Sequence, residues 1–160
     1  MKLGWLLFLT LATPAQELRL SSASAAAGQA VAVELTLQSP AGKEPAGLAW
    51  DWILPKPPLK PSAEGPTLGE AARQAGKSIK CVPKPSRDSA RQYTCILVGG
   101  KQKVQNGDIA RFIFTIPPRT PSGSYAMAVE NGTAVYTQGT GIHLESVRSA
   151  IMVVDRHKAR

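Results

Sequence analysis

Alternation of apolar and polar residues is the feature that most constrains how this chain can fold. Residues 31–38 and 109–116 alternate throughout, and the second stretch has one face formed by Ala110, Phe112, Phe114 and Ile116 and an opposite face formed by Ile109, Arg111, Ile113 and Thr115. Side chains two apart in sequence lie on the same side of a β-strand. The pattern therefore predicts strands with one buried and one solvated face.

Turn-forming residues separate about eight to nine such segments. The predicted strands cover residues 17–20, 31–38, 48–54, 78–82, 92–98, 109–116, 125–129, 134–138 and 149–154. Asn106-Gly107 is a turn signal, and Asn131-Gly132 predicts a tight hairpin turn between two strands. Many short strands with almost no helix predict an all-β fold, an antiparallel β-sandwich of the jelly-roll kind.

The segment between residues 55 and 75 departs from this pattern. Five prolines in residues 55–66 exclude a central strand and indicate an extended surface connection. One short helical turn is predicted over residues 67–75, with Thr67 as N-cap, Glu70 as its capping-box partner and Gly76 as the stop.

Two tryptophans leave two interpretations open. Trp50 and Trp52 are two apart and share a strand face with Leu48 and Leu54, which favours burial in the core. Aromatic residues at this spacing could instead form a sugar-stacking platform, with Tyr93 and Tyr136 as the other candidate rings.

The N-terminus has the pattern of a secretory signal peptide. A basic Lys2 precedes a short apolar run that ends in small residues up to Ala15, and this run is about half the length needed to span a membrane. We expect a signal peptide over residues 1–15, one domain over residues 16–154 and a charged tail over residues 155–160. The predicted location is therefore periplasmic or extracellular, with no membrane span after cleavage.

The chain has two cysteines, Cys81 and Cys95. An even number in an exported protein favours a disulfide over two free thiols. A bridge closing a loop of this size stabilises by about 3 kcal/mol in the chain-entropy model.

The charge distribution offers one further candidate site. The formal charge of +8 falls to +7 without Lys2, and one region holds six basic residues, namely Arg73, Lys77, Lys80, Lys84, Arg87 and Arg91. Such a group could attract an acidic partner, although charge clusters are often only solvated surface. Nucleic acid is disfavoured as a partner because the group lacks interleaved aromatic residues.

No pattern indicates catalysis. The chain has two histidines, His143 and His157, and no nucleophile-elbow motif around a serine. The acidic residues show no calcium-loop spacing, so no metal or cofactor is predicted. We expect a non-enzymatic protein.

The order of these motifs resembles the cohesin domain, a β-sandwich related to bacterial carbohydrate-binding modules. The resemblance covers residues 17–154 and rests on segments 28–33, 46–54, 106–116, 123–127 and 151–154. Segments 75–81 and 93–95, which contain the cysteines, look like a variant found in exported bacterial proteins.

The resemblance implies a cohesin-like sandwich that binds another protein outside the cytoplasm. Well-known cohesins bind dockerin modules, so a dockerin-like protein is the partner that the resemblance implies. The alternative function is carbohydrate binding linked to polysaccharide catabolism. The sequence does not indicate the oligomeric state.

Overall fold

The computed structural model describes residues 15–85 and 91–155 and contains two packed β-sheets with one short helix between strands. In chain order the elements are β1 (Glu17–Leu20), β2 (Ala23–Ala26), β3 (Ala30–Gln38), β4 (Gly47–Ile53), β5 (Lys60–Pro61), β6 (Thr67–Leu68), α1 (Glu70–Gln74), β7 (Ser78–Lys84), β8 (Gln92–Val98), β9 (Gly107–Thr115), β10 (Gly123–Val135), β11 (Gly141–Leu144) and β12 (Val147–Val154). The predicted all-β sandwich is confirmed.

The two sheets have different sizes. The smaller sheet has the order β1-β3-β9-β5, with β6 also paired to β9. The larger sheet has the order β2-β12-β10-β4-β8-β7, with β11 also paired to β10. Neighbouring strands are antiparallel except β2, which pairs in parallel with β12.

The core lies between the inward faces of the sheets. Trp52 of β4 packs edge-on against Phe112 of β9, with ring centroids 5.2 Å apart, and Phe112 stacks on Phe114. Trp50 and Trp52 are 1% and 0% exposed, which confirms the prediction that they belong to the core. Burying such large apolar rings is a dominant contribution to the stability of a small sandwich.

One residue of the best predicted strand lies on the other face. The pairing of β3 with β9 runs from Leu35↔Ala110 to Thr36↔Asp108 and so passes over Ile109. This β-bulge turns Ile109 into the core, where it is 0% exposed. The sequence-based assignment of Ile109 to the same face as Arg111 is therefore wrong.

The helix starts later than predicted. Thr67 pairs with Arg111 as part of β6, and the N-cap is Gly69, which makes no side-chain cap. A Cβ at Gly69 would lie 2.3 Å from the carbonyl oxygen of Asp108, so close approach to β9 requires glycine here. The predicted capping box of Thr67 and Glu70 is wrong, because strand pairing holds Thr67. The helix end at Gly76 is confirmed by its positive φ of 66°.

The predicted hairpin at Asn131-Gly132 is also wrong. Both residues lie inside β10, where the pairing with β4 shifts between Glu130 and Thr133. The turn occurs farther along, where the Tyr136 amide donates to the carbonyl oxygen of Thr140 over 2.9 Å. The predicted strand 134–138 is thus the end of β10 followed by this turn.

Some predictions concern parts of the chain outside the described residues. These are residues 1–14 of the predicted signal peptide over residues 1–15, Arg87, and residues 156–160 of the predicted tail over residues 155–160. Within residues 15–85 and 91–155, no helix has the length and apolar character needed to cross a membrane.

Candidate interaction surface

The solvent side of the larger sheet is the candidate site. Four adjacent strands, β10, β4, β8 and β7, present alternate side chains outward while Trp50, Trp52 and Leu97 point into the core. We define the outer face of the larger sheet by the outward residues Ala49, Asp51, Ile53, Lys80, Val82, Lys84, Thr94, Ile96, Val98, Glu130 and Val135.

Large apolar side chains are exposed on this outer face. Val82 is 48% exposed, Ile96 38%, Val98 46% and Val135 38%. Val82 lies on β7 and Ile96 and Val98 lie on the adjacent strand β8, while Val135 lies on β10. Clustered apolar side chains left in water are typical of surfaces that bind another protein.

The outward face of the smaller sheet is different. Ile113 of β9 is 38% exposed and lies opposite Ala32 of β3, and the outward pairs that follow along these two strands are polar. Arg111 and Glu34 form an ion pair at 3.9 Å, and the Thr36 hydroxyl donates to Asp108 over 2.9 Å. Of the eight large apolar side chains exposed within the described residues, Ile113 is the one outside the larger sheet.

A buried carboxylate lies at the centre of the outer face. Asp51 is 6% exposed and accepts hydrogen bonds from three neighbouring strands. Lys84 of β7 donates from Nζ to Oδ2 of Asp51 over 2.6 Å. Thr94 of β8 donates from its hydroxyl to Oδ1 over 2.6 Å. Asn131 Nδ2 of β10 donates to Oδ2 over 2.8 Å. The network ties β10, β4, β8 and β7 together on their solvent side.

These partners keep Asp51 ionised. Burial alone would raise the pKa of its carboxyl group. The hydrogen bonds from Lys84, Thr94 and Asn131, together with the positive charge of Lys84, outweigh burial and lower the pKa below its ordinary value. A buried charge with all its partners in place stiffens a surface without leaving an unsatisfied group.

The position of Asn131 depends on an unusual backbone conformation. Asn131 has a φ of 53°, the left-handed region that asparagine tolerates better than most residues. It lies in the shift of register between β10 and β4, which turns its amide toward Asp51. A regular strand would place residue 131 differently, so the bulge is part of the network.

The disulfide holds the edge strand of the outer face. Cys81 of β7 and Cys95 of β8 are directly opposite in register, and their Cα atoms are 4.1 Å apart. The predicted pairing is confirmed. The bridge fastens β7, and with it Lys80, Val82 and Lys84, to the body of the sheet.

Five of the six predicted basic residues are described, and the structure does not bring these five into one free patch. Arg73 pairs with Glu70 on α1, Lys84 pairs with Asp51, and Lys80 is exposed on β7. Arg91 donates from Nη2 to the carbonyl oxygens of Pro55 and Leu59 and so holds the proline-rich connection.

Lys77 is the exception to the usual exposure of lysine. It is 5% exposed, and its Nζ donates to the carbonyl oxygen of Gly99 over 2.6 Å. Burial lowers the pKa of its ammonium group. Lys77 therefore anchors the start of β7 to the loop after β8.

The rings considered for sugar stacking are mostly inside the molecule. Trp50 and Trp52 are buried, and Tyr93 packs edge-on to Phe112 with centroids 6.1 Å apart. Tyr136 lines a cavity at one end of the sandwich.

Sequence reasoning named Lys80 and Lys84 of the outer face as part of the basic group, but it missed the Asp51 network. Asp51 stands between two tryptophans in an otherwise apolar strand, and this was the available signal for a buried charge. The contribution of Asn131 depends on a bulge that only the fold reveals.

Comparisons with known proteins identify the fold. No family model and no curated protein sequence matches the chain. Among solved structures, the sixth cohesin of scaffoldin B from Acetivibrio cellulolyticus, in complex with a Cel5 dockerin mutant, superposes with a TM-score of 0.71 at 11% identity over 88% of this chain and 100% of that one.

Two cohesins from other organisms are similar as well. A non-cellulosomal cohesin from Archaeoglobus fulgidus gives a TM-score of 0.68 at 12% identity, covering 91% of this chain and 96% of that one. The cohesin module of a family 33 glycoside hydrolase from Clostridium perfringens gives 0.56 at 13% identity, covering 90% and 100%. The chain has a cohesin-like fold.

Proposed function

We propose that this protein is a non-enzymatic interaction module that binds a partner protein through the outer face of its larger sheet. The observation that carries the proposal is the concentration of exposed apolar side chains, Val82, Ile96 and Val98, on this one face. On the smaller sheet, Ile113 is the one large apolar side chain exposed among the residues that the structure describes.

The mechanism of binding follows from the arrangement of the outer face. Removal of these exposed apolar side chains from water by a partner lowers the free energy of the complex. The Asp51 network fixes the strands beneath them, which reduces the ordering cost of association. Lys80, opposite Ile96, and Glu130, opposite Asp51, provide charges that orient a partner.

A dockerin module is the partner class that we propose. Solved structures with the same fold include cohesins in complex with dockerins from Acetivibrio cellulolyticus and Clostridium thermocellum. Sequence identity to these chains is 11% and 10%, so the proposal carries over the class of partner and no contact residue.

The proposed place of action is outside the cytoplasm. The Cys81–Cys95 disulfide supports this location because such bonds persist in oxidising compartments. The signal-peptide pattern of residues 1–15 supports it independently.

The chain offers a matched pair of variants for the test. Ile96 and Ile113 are both isoleucines in strands, both 38% exposed, and lie on the outward faces of different sheets. The wild type, Ile96→Lys and Ile113→Lys would be immobilised side by side, and a panel of dockerin modules would be titrated over them, starting with the Cel5 dockerin.

We expect Ile96→Lys to weaken dockerin binding by about a hundredfold, the effect of losing one central apolar contact. Ile113→Lys should stay within about twofold of the wild type. Equal losses in both variants would refute the assignment of the face, and absence of binding across the panel would refute the dockerin class.

A further inference from the structure

A cavity at one end of the sandwich is separate from the outer face. It has a volume of about 700 Å³ and lies between the turn before β4 and the turn that joins β10 to β11. Pro40, Lys43, Tyr136, Gln138 and Thr140 are among its lining residues. This volume is in the range of small-molecule sites.

Hydrogen bonds fix one wall of the cavity. The Tyr136 hydroxyl donates to Oε1 of Gln16, and Nε2 of Gln16 donates to the Ser39 hydroxyl over 2.8 Å. The Ser39 amide in turn donates to Asn106 over 2.7 Å, and Asn106 donates back to the Ser39 carbonyl oxygen. These hydrogen bonds connect Tyr136 through Gln16 and Ser39 to Asn106, just before β9.

Hydrogen bonds from backbone amides fix the two turns that border the cavity. The Lys43 amide donates to the carbonyl oxygen of Pro40 over 3.0 Å, and the Gly42 amide donates to Glu44 over 3.0 Å. The Gly139 amide donates to the carbonyl oxygen of Tyr136 over 2.9 Å. A cavity bounded by two closed turns and an anchored ring is largely pre-formed, which favours ligand binding.

The cavity carries an excess of positive charge. Lys43 and Lys103 line it, and neither forms an ion pair with another residue of the described ranges 15–85 and 91–155. Backbone hydrogen bonds at Glu44 and Gly42, and to a smaller extent the charge of Lys103, lower the pKa of Glu44. Two cations against one carboxylate leave the site attractive to a single negative charge.

We propose that this cavity binds an acidic saccharide. The side chains of Gln16, Thr137, Gln138 and Thr140 provide amide and hydroxyl groups for the hydroxyls of a sugar ring. Tyr136 provides an aromatic ring, and Ile142, which is 41% exposed, adds apolar surface for the C–H face of the sugar. Lys43 and Lys103 pair with a carboxylate of the ligand.

This assignment is independent of the two tryptophans. Trp50 and Trp52 are buried and cannot stack on a sugar, so binding rests on Tyr136. It is also independent of the outer face, because none of Asp51, Ile96 or Val98 lines the cavity.

The probe for the test is tri-galacturonate, titrated into the purified oxidised protein by isothermal calorimetry at low and moderate salt. We expect saturable binding that weakens with salt, because the lysines are exposed. Neutral cellotriose should bind about tenfold more weakly, and polyglutamate of equal charge should not saturate the site.

Two sets of variants separate the ring from the charges. Tyr136→Ala should weaken tri-galacturonate binding by about tenfold, whereas Tyr136→Phe keeps the ring and most of the affinity. The double variant Lys43→Gln/Lys103→Gln should lose about tenfold or more. Its charge-matched control, Lys56→Gln/Lys60→Gln, changes exposed lysines outside the cavity and should stay within about twofold.

Three results would overturn the proposal. They are absence of saturable binding by tri-galacturonate, polyglutamate binding as tight as tri-galacturonate, and equal losses in the two double lysine variants. The double variants change only exposed side chains, so this comparison remains valid even if Tyr136→Ala fails to fold.

Discussion

Lys84 of the edge strand β7 places its ammonium group 2.6 Å from the carboxylate of Asp51 on β4, two strands away. The lysine crosses β8 to reach this partner, and the Thr94 hydroxyl of β8 donates to the same carboxylate over 2.6 Å. These contacts connect the edge strand β7 to β4 across β8.

This contact makes stability dependent on pH through Asp51. Its pKa is lowered in the folded state, so the stabilisation is complete above the unfolded value of about 3.9 and is lost as pH falls through the folded value. We expect Asp51→Asn to lower the free energy of unfolding by about 2 kcal/mol at pH 7, the range for hydrogen bonds to a charged group. Since the Lys84 side chain is 45% exposed, the ion pair contributes at the low end.

Urea unfolding of the wild type and Asp51→Asn between pH 7 and pH 2 measures the effect. The difference between the two should shrink as pH falls below about 3.9. Asp155→Asn, at an exposed position after β12, is the matched control and should show no such difference. A constant difference at all pH values would contradict this role of Asp51.

Asn131 combines a side-chain and a backbone requirement, and two substitutions separate them. Asn131→Gly and Asn131→Ala both lose the hydrogen bond to Asp51. Alanine also pays about 1 kcal/mol for the left-handed conformation at φ 53°, which glycine adopts freely. Chemical denaturation should therefore rank alanine below glycine by about this amount, and equal stabilities would argue against the strained conformation.

Lys77 should also make stability depend on pH, but through the burial of its charge and not through favourable partners. Its pKa is lowered by burial, so the folded state opposes protonation, and the penalty is full below the folded value. Stability should rise with pH toward the unfolded value of about 10.4. Lys77→Met removes the titrating group, so the wild type should gain stability relative to this variant between neutral pH and about 10.4. A parallel pH profile for the two proteins would contradict the burial of a charged Lys77.

The disulfide should contribute chiefly to the edge strand. Replacing both cysteines by alanine is expected to cost about 3 kcal/mol, the chain-entropy value for a loop of this size. Guanidinium unfolding of the oxidised protein and of the double variant measures the loss. Hydrogen exchange should show faster opening of β7 than of β4 in the variant, and uniform acceleration across the sheet would contradict the local role.

Much of the fold follows from the sequence because period-two alternation specifies both strands and core. Trp50 and Trp52 were placed correctly in the core, Phe112 and Phe114 were placed correctly on one strand face, and the two cysteines were correctly paired. The core assignment depends on local alternation, and the disulfide assignment depends on an even number of cysteines in an exported chain. Both signals can be read from the sequence.

The errors arise where tertiary pairing overrides a local signal. Asn131-Gly132 has hairpin chemistry, yet β10 continues because its pairing with β4 and β11 extends past the bulge. Thr67 is a good N-cap residue, yet its pairing with Arg111 retains it in a strand. The Asp51 network joins residues 80 positions apart, so no local pattern could predict it.

The most direct measurement of the central claim is site-specific photocrosslinking to a bound dockerin module. A photoreactive residue would replace Lys80, which is exposed beside Ile96 on the outer face, or Lys60, which is exposed on the smaller sheet. The account predicts a crosslink from position 80 and none from position 60. A crosslink from position 60 with none from position 80 would show that the partner binds elsewhere and would contradict the account.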